Sequence, residues 1–140
     1  MSPTKPSCCG IIVFDQDLTI LVKTQHGNFS FPKGKRKKRE NDLETAWREL
    51  EEETGLTSDN VELLHNFYID ECSSKGNITT RYFVGYIKKT AERISFNPNE
   101  LAGVIWFNIQ DAIKLEKLKY VRKNVLADAH KEFIKCTLKI

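Results

Sequence analysis

Two groups of oppositely charged side chains lie close together in this sequence. Five consecutive cations span Lys35–Arg39, and carboxylates then cluster at Glu49 and Glu51–Glu53. Carboxylate oxygens are the usual ligands of hard divalent cations such as Mg²⁺, which often shares its coordination shell with substrate phosphates. Clustered cations attract phosphate. The two groups together indicate a metal-bound polyphosphate substrate, and the alternative is a solvated acidic helix face paired with neighbouring Lys and Arg.

The carboxylates are predicted to lie on one helix with recognisable ends. Asn41 is a good N-cap residue, and Glu44 three residues later completes a capping-box pattern. Gly55 supplies a residue that easily adopts the left-handed conformation at the C-terminal end. Apolar residues recur at helical spacing between these ends and predict a buried stripe: Leu43, Ala46, Trp47 and Leu50.

The spacing of the acids places them on a shared face of that helix. Glu49, Glu52 and Glu53 stand at i, i+3 and i+4, and Arg48 lies four residues before Glu52, within reach of an ion pair. Like charges at these spacings cost about 0.2–0.5 kcal/mol per exposed pair. A bound divalent cation would offset this repulsion.

The stretch from Gly34 to Leu56 resembles the Nudix hydrolase signature, G-x5-E-x7-R-E-U-x-E-E-x-G-U, in which U is a bulky aliphatic residue. The resemblance implies an α/β fold, an α/β/α sandwich with a mixed sheet between helices. It also implies hydrolysis of a phosphoanhydride, with Mg²⁺ or Mn²⁺, in a nucleoside diphosphate linked to another group. All nine constrained positions are filled: Gly34, Glu40, Arg48, Glu49, Leu50, Glu52, Glu53, Gly55 and Leu56.

The resemblance also implies a role for each matching residue. Arg48 matches the arginine that orients the glutamate cluster, and Glu40 matches an early glutamate that often contributes to an outer metal or water shell. The backbone carbonyl of Lys33 or Gly34 would be the usual non-carboxylate ligand. Three positions match the metal-binding carboxylates: Glu49, Glu52 and Glu53.

The general base is placed differently within this family, either in the signature helix or in a loop before the last core strand. Glu100 lies in a predicted loop, six residues before Trp106. This spacing resembles the loop glutamate of several nucleotide-hydrolysing relatives. We therefore include Glu100 among the candidate catalytic residues, and the alternative is an ordinary acid on a surface loop.

The basic loop holds all of the chain's positive excess. The net charge is +3, and Lys33 with Lys35–Arg39 supplies six positive charges, so the remainder carries −3. We expect Lys33, Lys35 and Arg36 to bind substrate phosphates, an attraction that added salt should weaken. The alternatives are a nuclear-import signal and a solvated loop.

The run Phe31–Lys35 narrows the substrate class. It resembles the corresponding segment of diadenosine polyphosphate hydrolases and of messenger-RNA decapping enzymes, and Asp42–Ala46 resembles the first group in particular. The favoured substrate is a dinucleoside polyphosphate or the 5′ end of capped RNA. The alternatives are a diphosphoinositol polyphosphate and, in a different class, a non-catalytic nucleotide- or RNA-binding module. Silent relatives usually lose a signature glutamate, and this chain has lost none.

The remaining sequence predicts one domain over residues 1–140, with residues 1–7 as a loose N-terminus. Four cysteines without metal-ligand spacing, and no apolar run of ~20 residues, favour an intracellular, cytoplasmic protein that does not enter a membrane, with nuclear entry through Lys35–Arg39 as an alternative. The predicted strands are Cys9–Phe14, Thr19–Lys23, Val61–Ile69, Thr79–Ile87 and Val104–Phe107. The helices predicted after the signature helix are Ile109–Leu115 and Tyr120–Ile134.

Overall fold

The protein is described by a computed structural model that covers residues 5–91 and 94–138. Within these described residues, three helices and seven strands follow one another in the order expected of an α/β fold. The elements are β1 (Cys8–Asp15), β2 (Leu18–Thr24), β3 (Phe29–Ser30), β4 (Lys33–Lys35), α1 (Asp42–Thr54), β5 (Val61–Cys72), β6 (Ile78–Ile87), β7 (Leu101–Asn108), α2 (Ile109–Ile113) and α3 (Tyr120–Thr137).

The strands form a single mixed sheet, as predicted. Its main order is β3-β2-β1-β6-β5, with β4 paired to β1 and β7 paired to β2. The β1–β6 pair is parallel, whereas the other pairs are antiparallel. The long antiparallel hairpin of β5 and β6 turns at residues 73–77, where Gly76 has a φ of 85°.

Strand β1 lies at the centre of two hydrophobic layers because its side chains alternate between the two faces of the sheet. Ile11 belongs to the layer under α1, which also contains Ala46 and Leu50. Ile12 belongs to the opposite layer, which contains Leu126 of α3. The predicted helix–sheet–helix sandwich is therefore confirmed.

Helix α1 begins and ends as the sequence predicts. The Asn41 side chain accepts a hydrogen bond from the Glu44 backbone N–H at 2.8 Å, and the Glu44 carboxylate accepts one from the Asn41 N–H at 3.0 Å. Gly55 ends the helix with a φ of 81°. The predicted stripe is wrong at Leu43, which is 42% exposed because this first-turn side chain lines an open groove with Tyr68 and Phe83 and is not covered.

Strands β3 and β4 were not predicted, because two or three residues of mixed polarity carry no periodic signal. Strand β4 forms through its pairing with β1, which places Gly34 opposite Cys9. Smaller differences lie at element ends: β7 begins at Leu101, α2 ends at Ile113 and α3 continues to Thr137.

The predicted loose N-terminus is only partly covered, since residues 1–4 lie outside the described residues. Pro6 is buried, and the Ser7 hydroxyl donates a hydrogen bond to the Thr79 carbonyl at 3.2 Å. Residues 5–7 are therefore attached to the sheet, which corrects the prediction for this part. No helix in the described part of the chain is long and apolar enough to span a membrane, while the intracellular location stays a prediction.

Candidate active site

Strand β4 and helix α1 approach most closely where Gly34 faces Glu49. A Cβ atom built on Gly34 would lie 2.3 Å from both carboxylate oxygens of Glu49. A side chain at position 34 would displace the Glu49 carboxylate, because real Cβ atoms do not approach other atoms so closely. The carboxylate of Glu49 therefore lies directly against the backbone of β4, and the pairing of β4 with β1 fixes the position of that backbone.

Glu53, one turn later on α1, is bound to the same strand. Its Oε1 atom accepts a hydrogen bond from the Lys33 backbone N–H at 2.8 Å. Burial raises the pKa of Glu53 to about 8, opposed by this hydrogen bond and by the Lys33 charge and reinforced by the charges of Glu49 and Glu100. Glu53 is thus a carboxylate in need of a compensating cation.

The structure brings Glu100 towards these helix carboxylates. Its charge raises the pKa of Glu49 as well as that of Glu53, although burial is the largest cause in both cases. Glu100 lies in the turn before β7, where its backbone N–H donates to the Asn97 carbonyl at 3.0 Å. A residue about fifty positions along the chain is therefore close enough for its charge to act on Glu49 and Glu53.

Arg48 organises the surrounding acids through hydrogen bonds to six acceptor atoms in four residues. Its Nη1 atom donates to Glu49 at 2.8 Å and to Glu52 at 3.2 Å, which includes the predicted pair with Glu52. Its Nη2 atom donates to the Lys35 carbonyl at 2.8 Å. Its Nε and Nη2 atoms donate to the two carboxylate oxygens of Glu40 at 2.7 and 3.0 Å. Arg48 therefore connects the basic loop to the carboxylates.

Glu40 is fixed by donors from three residues. Besides Arg48, the Lys37 backbone N–H donates to it at 2.8 Å and the Thr45 hydroxyl at 3.1 Å. These bonds, that from Arg48 first, lower the pKa of Glu40 to about 2. Thr45 was not predicted to be a residue of the site. Its only signal in the sequence is that it is a polar residue on the buried side of α1.

The structure brings only some of the remaining predicted residues to the site. The Glu52 side chain is 48% exposed and contacts Arg48, so it lies at the solvent-exposed rim of the carboxylate cluster. Lys35 is exposed. Arg36 points towards the start of α1, where it pairs with Asp42 and donates to the Glu40 carbonyl at 3.1 Å. Arg36 is therefore committed to contacts within the protein.

The donor set suits a hard divalent cation, although no three His, Cys, Asp or Glu side chains within residues 5–91 and 94–138 already form a closed metal-ligand group. Two oxygen donors, Glu49 and Glu53, have raised pKa values through burial and lie close to each other's charge. Glu49 also lies against the Gly34 backbone. Carboxylate and carbonyl oxygens are ligands that Mg²⁺ and Mn²⁺ accept. A divalent cation bound between Glu49 and Glu53 would remove the repulsion between their charges.

Comparison with protein families identifies this chain's relatives. The model of the NUDIX domain matches residues 4–129. The Saccharomyces cerevisiae mRNA-decapping enzyme subunit 2 is 30% identical over 118 residues, which cover 79% of this chain but 11% of the yeast protein. The chain therefore spans about a ninth of that relative's length. The Mus musculus asymmetrical bis(5′-nucleosyl)-tetraphosphatase is 27% identical over 139 residues, covering 87% of this chain and 91% of the mouse protein.

Solved structures show the same fold. A Caenorhabditis elegans Ap4A hydrolase in a binary complex superposes with a TM-score of 0.78 over 91% of this chain and 98% of the nematode chain. The two sequences are 16% identical, so this likeness concerns the architecture alone. It confirms the predicted sandwich with a mixed sheet between helices.

Proposed function

Because the chain belongs to the NUDIX domain family, we propose that it is a metal-dependent pyrophosphohydrolase that cleaves a phosphoanhydride in a nucleotide polyphosphate. The observation that carries this proposal is the pair of carboxylates held against β4: Glu53 accepts the Lys33 N–H, and Glu49 lies on Gly34. Buried acids arranged in this way are unfavourable unless a cation joins them.

Glu49, Glu53 and the carbonyl of Gly34 are the groups we expect to hold Mg²⁺ or Mn²⁺, with Glu52 at the rim. When bound, the cation neutralises phosphate oxygens and lowers the pKa of a bound water. Arg48 restricts the rotamers of Glu49 and Glu52 through its hydrogen bonds. Rigid positioning of this kind is most of what phosphoryl-transfer catalysis requires.

We propose Glu100 as the general base. It lies close enough to raise the pKa values of both Glu49 and Glu53, yet it belongs to a loop outside the helix. A base beside the metal carboxylates, carried by a different element, can accept the proton of an attacking water without being a metal ligand.

The substrate we favour is a dinucleoside polyphosphate or the 5′ end of capped RNA. The mouse relative is named a bis(5′-nucleosyl)-tetraphosphatase and the yeast relative an mRNA-decapping enzyme subunit. The Lys33 charge acts on Glu53, and Lys35 is an exposed residue of β4, so we expect both ammonium groups to be available to a polyphosphate. Arg36 is a weaker candidate for this role because it pairs with Asp42.

The proposal is tested by magnesium-dependent release of mononucleotide from diadenosine tetraphosphate, measured by ion-exchange chromatography. We expect Glu53→Gln to abolish turnover while substrate binding is retained, and Glu100→Gln to lower kcat about 10²–10⁴-fold. Glu51→Gln is the matched control, since Glu51 is an exposed acid of the same helix, and it should keep wild-type activity. Unchanged activity of Glu53→Gln would refute the metal site, and turnover within twofold would remove Glu100 from the mechanism.

A substrate panel separates the remaining alternatives. Diadenosine tetraphosphate, capped RNA and a diphosphoinositol phosphate are compared at one salt concentration with the wild-type protein. Turnover of one nucleotide substrate well above the inositol compound supports the proposal. Binding of nucleotide with no turnover of any member would instead identify a non-catalytic module.

A further inference from the structure

A groove that is separate from the carboxylates runs between the start of α1 and strand β5; we call it the α1–β5 groove. It consists of a cavity of about 620 Å³ and a second of about 530 Å³, which share Leu43, Tyr68 and Phe83 as lining residues. Both volumes lie in the range of ~300–1,000 Å³ that is usual for ligand pockets. The groove has room for more than one nucleotide-sized group.

An irregularity in β5 leaves the groove open. The pairing of β5 with β6 is interrupted between Leu63 and Tyr68, and Asn66 within this bulge has a φ of 52°. Strand β5 ends the main order of the sheet, so the bulge lies at an edge. Such bulges reorient side chains, and here His65 and Asn66 line the groove with polar groups.

Tyr68 forms a rigid aromatic surface in the groove. The side chain is 49% exposed, and the Arg81 guanidinium lies 3.9 Å from the ring centroid. Arg81 is in turn held by two hydrogen bonds to Asp70 at 2.8 and 2.9 Å. One ring face is therefore covered and fixed, which lowers the entropic cost of stacking a planar group on the exposed part of the ring.

Three cations, Lys5, Arg36 and Arg81, line the groove. Arg36 and Arg81 line it but pair with Asp42 and Asp70, so their charges are largely balanced. Lys5 is an exposed cation in the lining, and the exposed cations Lys37, Lys38 and Arg39 follow Arg36 along the basic loop. Aromatic surface beside exposed cations is the combination with which proteins bind single-stranded nucleic acids.

The basic loop connects the groove to the candidate active site. The Lys35 carbonyl accepts a hydrogen bond from Arg48, which also holds Glu49, and the next residue, Arg36, lines the groove. The backbone of a nucleic acid whose 5′ end lies at Glu49 and Glu53 can therefore lie along this loop and reach the groove.

We propose that the α1–β5 groove binds the single-stranded body of an RNA whose 5′ end lies at the carboxylates. One base stacks on Tyr68, polar groups of the bulge contact base edges, and Lys37 and Lys38 contact phosphates. A dinucleoside polyphosphate has no chain to occupy this groove, so the groove selects for RNA. The inference rests on the proposed phosphoanhydride hydrolysis.

The test measures binding without chemistry, by fluorescence anisotropy with a 12-nucleotide RNA that carries a 5′ hydroxyl. We expect Tyr68→Ala to raise the Kd about tenfold, the loss of one stacked base, while Tyr68→Phe retains wild-type affinity. The matched control is Tyr120→Ala, since Tyr120 is 78% exposed at the start of α3, and its Kd should not change. Thermal melting shows whether each variant folds.

The contribution of the loop is read from salt dependence. Lys37→Ala/Lys38→Ala should reduce the slope of log Kd against log salt by about 1.4, because each phosphate contact with a single strand contributes about 0.7. Lys131→Ala/Lys135→Ala removes the same charge from exposed positions of α3 and is the control. Loss of affinity in the lysine variant with none in Tyr68→Ala would overturn the proposal, since the loop would then act as an unspecific anion patch.

Failure of this inference and failure of the proposed function give different results. Wild-type cleavage of diadenosine tetraphosphate without binding of the 12-nucleotide RNA refutes the groove and leaves the hydrolase intact. Tyr68-dependent RNA binding without cleavage of any anhydride supports the groove and refutes the hydrolase.

Discussion

Glu49, Glu52 and Glu53 are the same residue type on one helix, but their surroundings differ. Glu53 accepts the Lys33 N–H, Glu49 lies on Gly34, and the Glu52 side chain remains 48% exposed at the rim. Burial raises the pKa values of Glu49 and Glu53, whereas hydrogen bonds from Arg48 and its neighbours lower that of Glu40 to about 2. The environment of each carboxylate therefore determines which acids need a cation and which carry a fixed negative charge.

The raised pKa of Glu53 predicts a pH dependence of stability in metal-free protein. An unfolded chain releases this proton near pH 4.5, whereas the folded protein keeps it to about pH 8. Between these values the folded state binds more protons, so this residue's contribution to the free energy of unfolding falls as the pH rises. Urea denaturation with EDTA at pH 5.5 and pH 8 should show a smaller decrease for Glu53→Gln than for wild type. Equal decreases in the two proteins would contradict the assignment.

Helix α1 is the element that the local sequence specifies most completely. Its capping box and terminal glycine satisfy the backbone groups at its two ends. Strand β4 is the opposite case, because its three residues become a strand by pairing with β1. The candidate site lies between an element that forms on local signals and one that requires a distant partner.

The cap gives a prediction for α1 as an element. Asn41→Ala removes the side chain that accepts the Glu44 N–H and should lower the free energy of unfolding by about 1 kcal/mol. Asn124→Ala, at an exposed position inside α3, is the control and should be neutral or slightly stabilising, since alanine has the higher helix propensity. Urea denaturation measures both changes. A loss in Asn124→Ala as large as that in Asn41→Ala would argue against the cap.

At the scale of the whole molecule, α3 and the sheet are joined by a buried polar contact as well as by apolar packing. Arg122 donates to Glu71 at 3.1 Å, and the Tyr82 hydroxyl donates to the same carboxylate oxygen at 3.0 Å. The three residues are 9%, 8% and 0% exposed. Arg122 also reaches the Phe29 carbonyl at 3.5 Å, so the contact supports the segment that leads to Lys33 and Gly34.

Breaking this contact should destabilise the molecule far more than breaking a surface pair. Arg122→Met leaves the Glu71 carboxylate buried without its cation and should cost about 3–5 kcal/mol. Lys88→Met, which removes an exposed pair with Glu62 at 3.3 Å, should cost about 0–1 kcal/mol. Urea denaturation of both variants gives the comparison. Similar losses of unfolding free energy in the two variants would mean that the buried contact stabilises the protein no more than the surface pair does.

The sequence by itself determined the features that depend on neighbouring residues. These are the caps of α1, the spacing of Glu49, Glu52 and Glu53, the main strands and the family signature. Helix periodicity and turn chemistry act over a few residues, so they can be read directly from the chain. For the same reason Leu43 was predicted wrongly, because helical spacing does not show whether another element covers a side chain.

Only the tertiary structure decided which distant residues meet. It placed Gly34 against Glu49, Glu100 near Glu53, Arg36 on Asp42 and Tyr68 beside Arg81. It also showed that Arg48, expected to orient the glutamate cluster, donates to Glu40 and to the Lys35 carbonyl as well. Each of these contacts depends on strand pairing and on the packing of α1 on the sheet. No local pattern encodes such positions, because they follow from the balance of contacts across the whole fold.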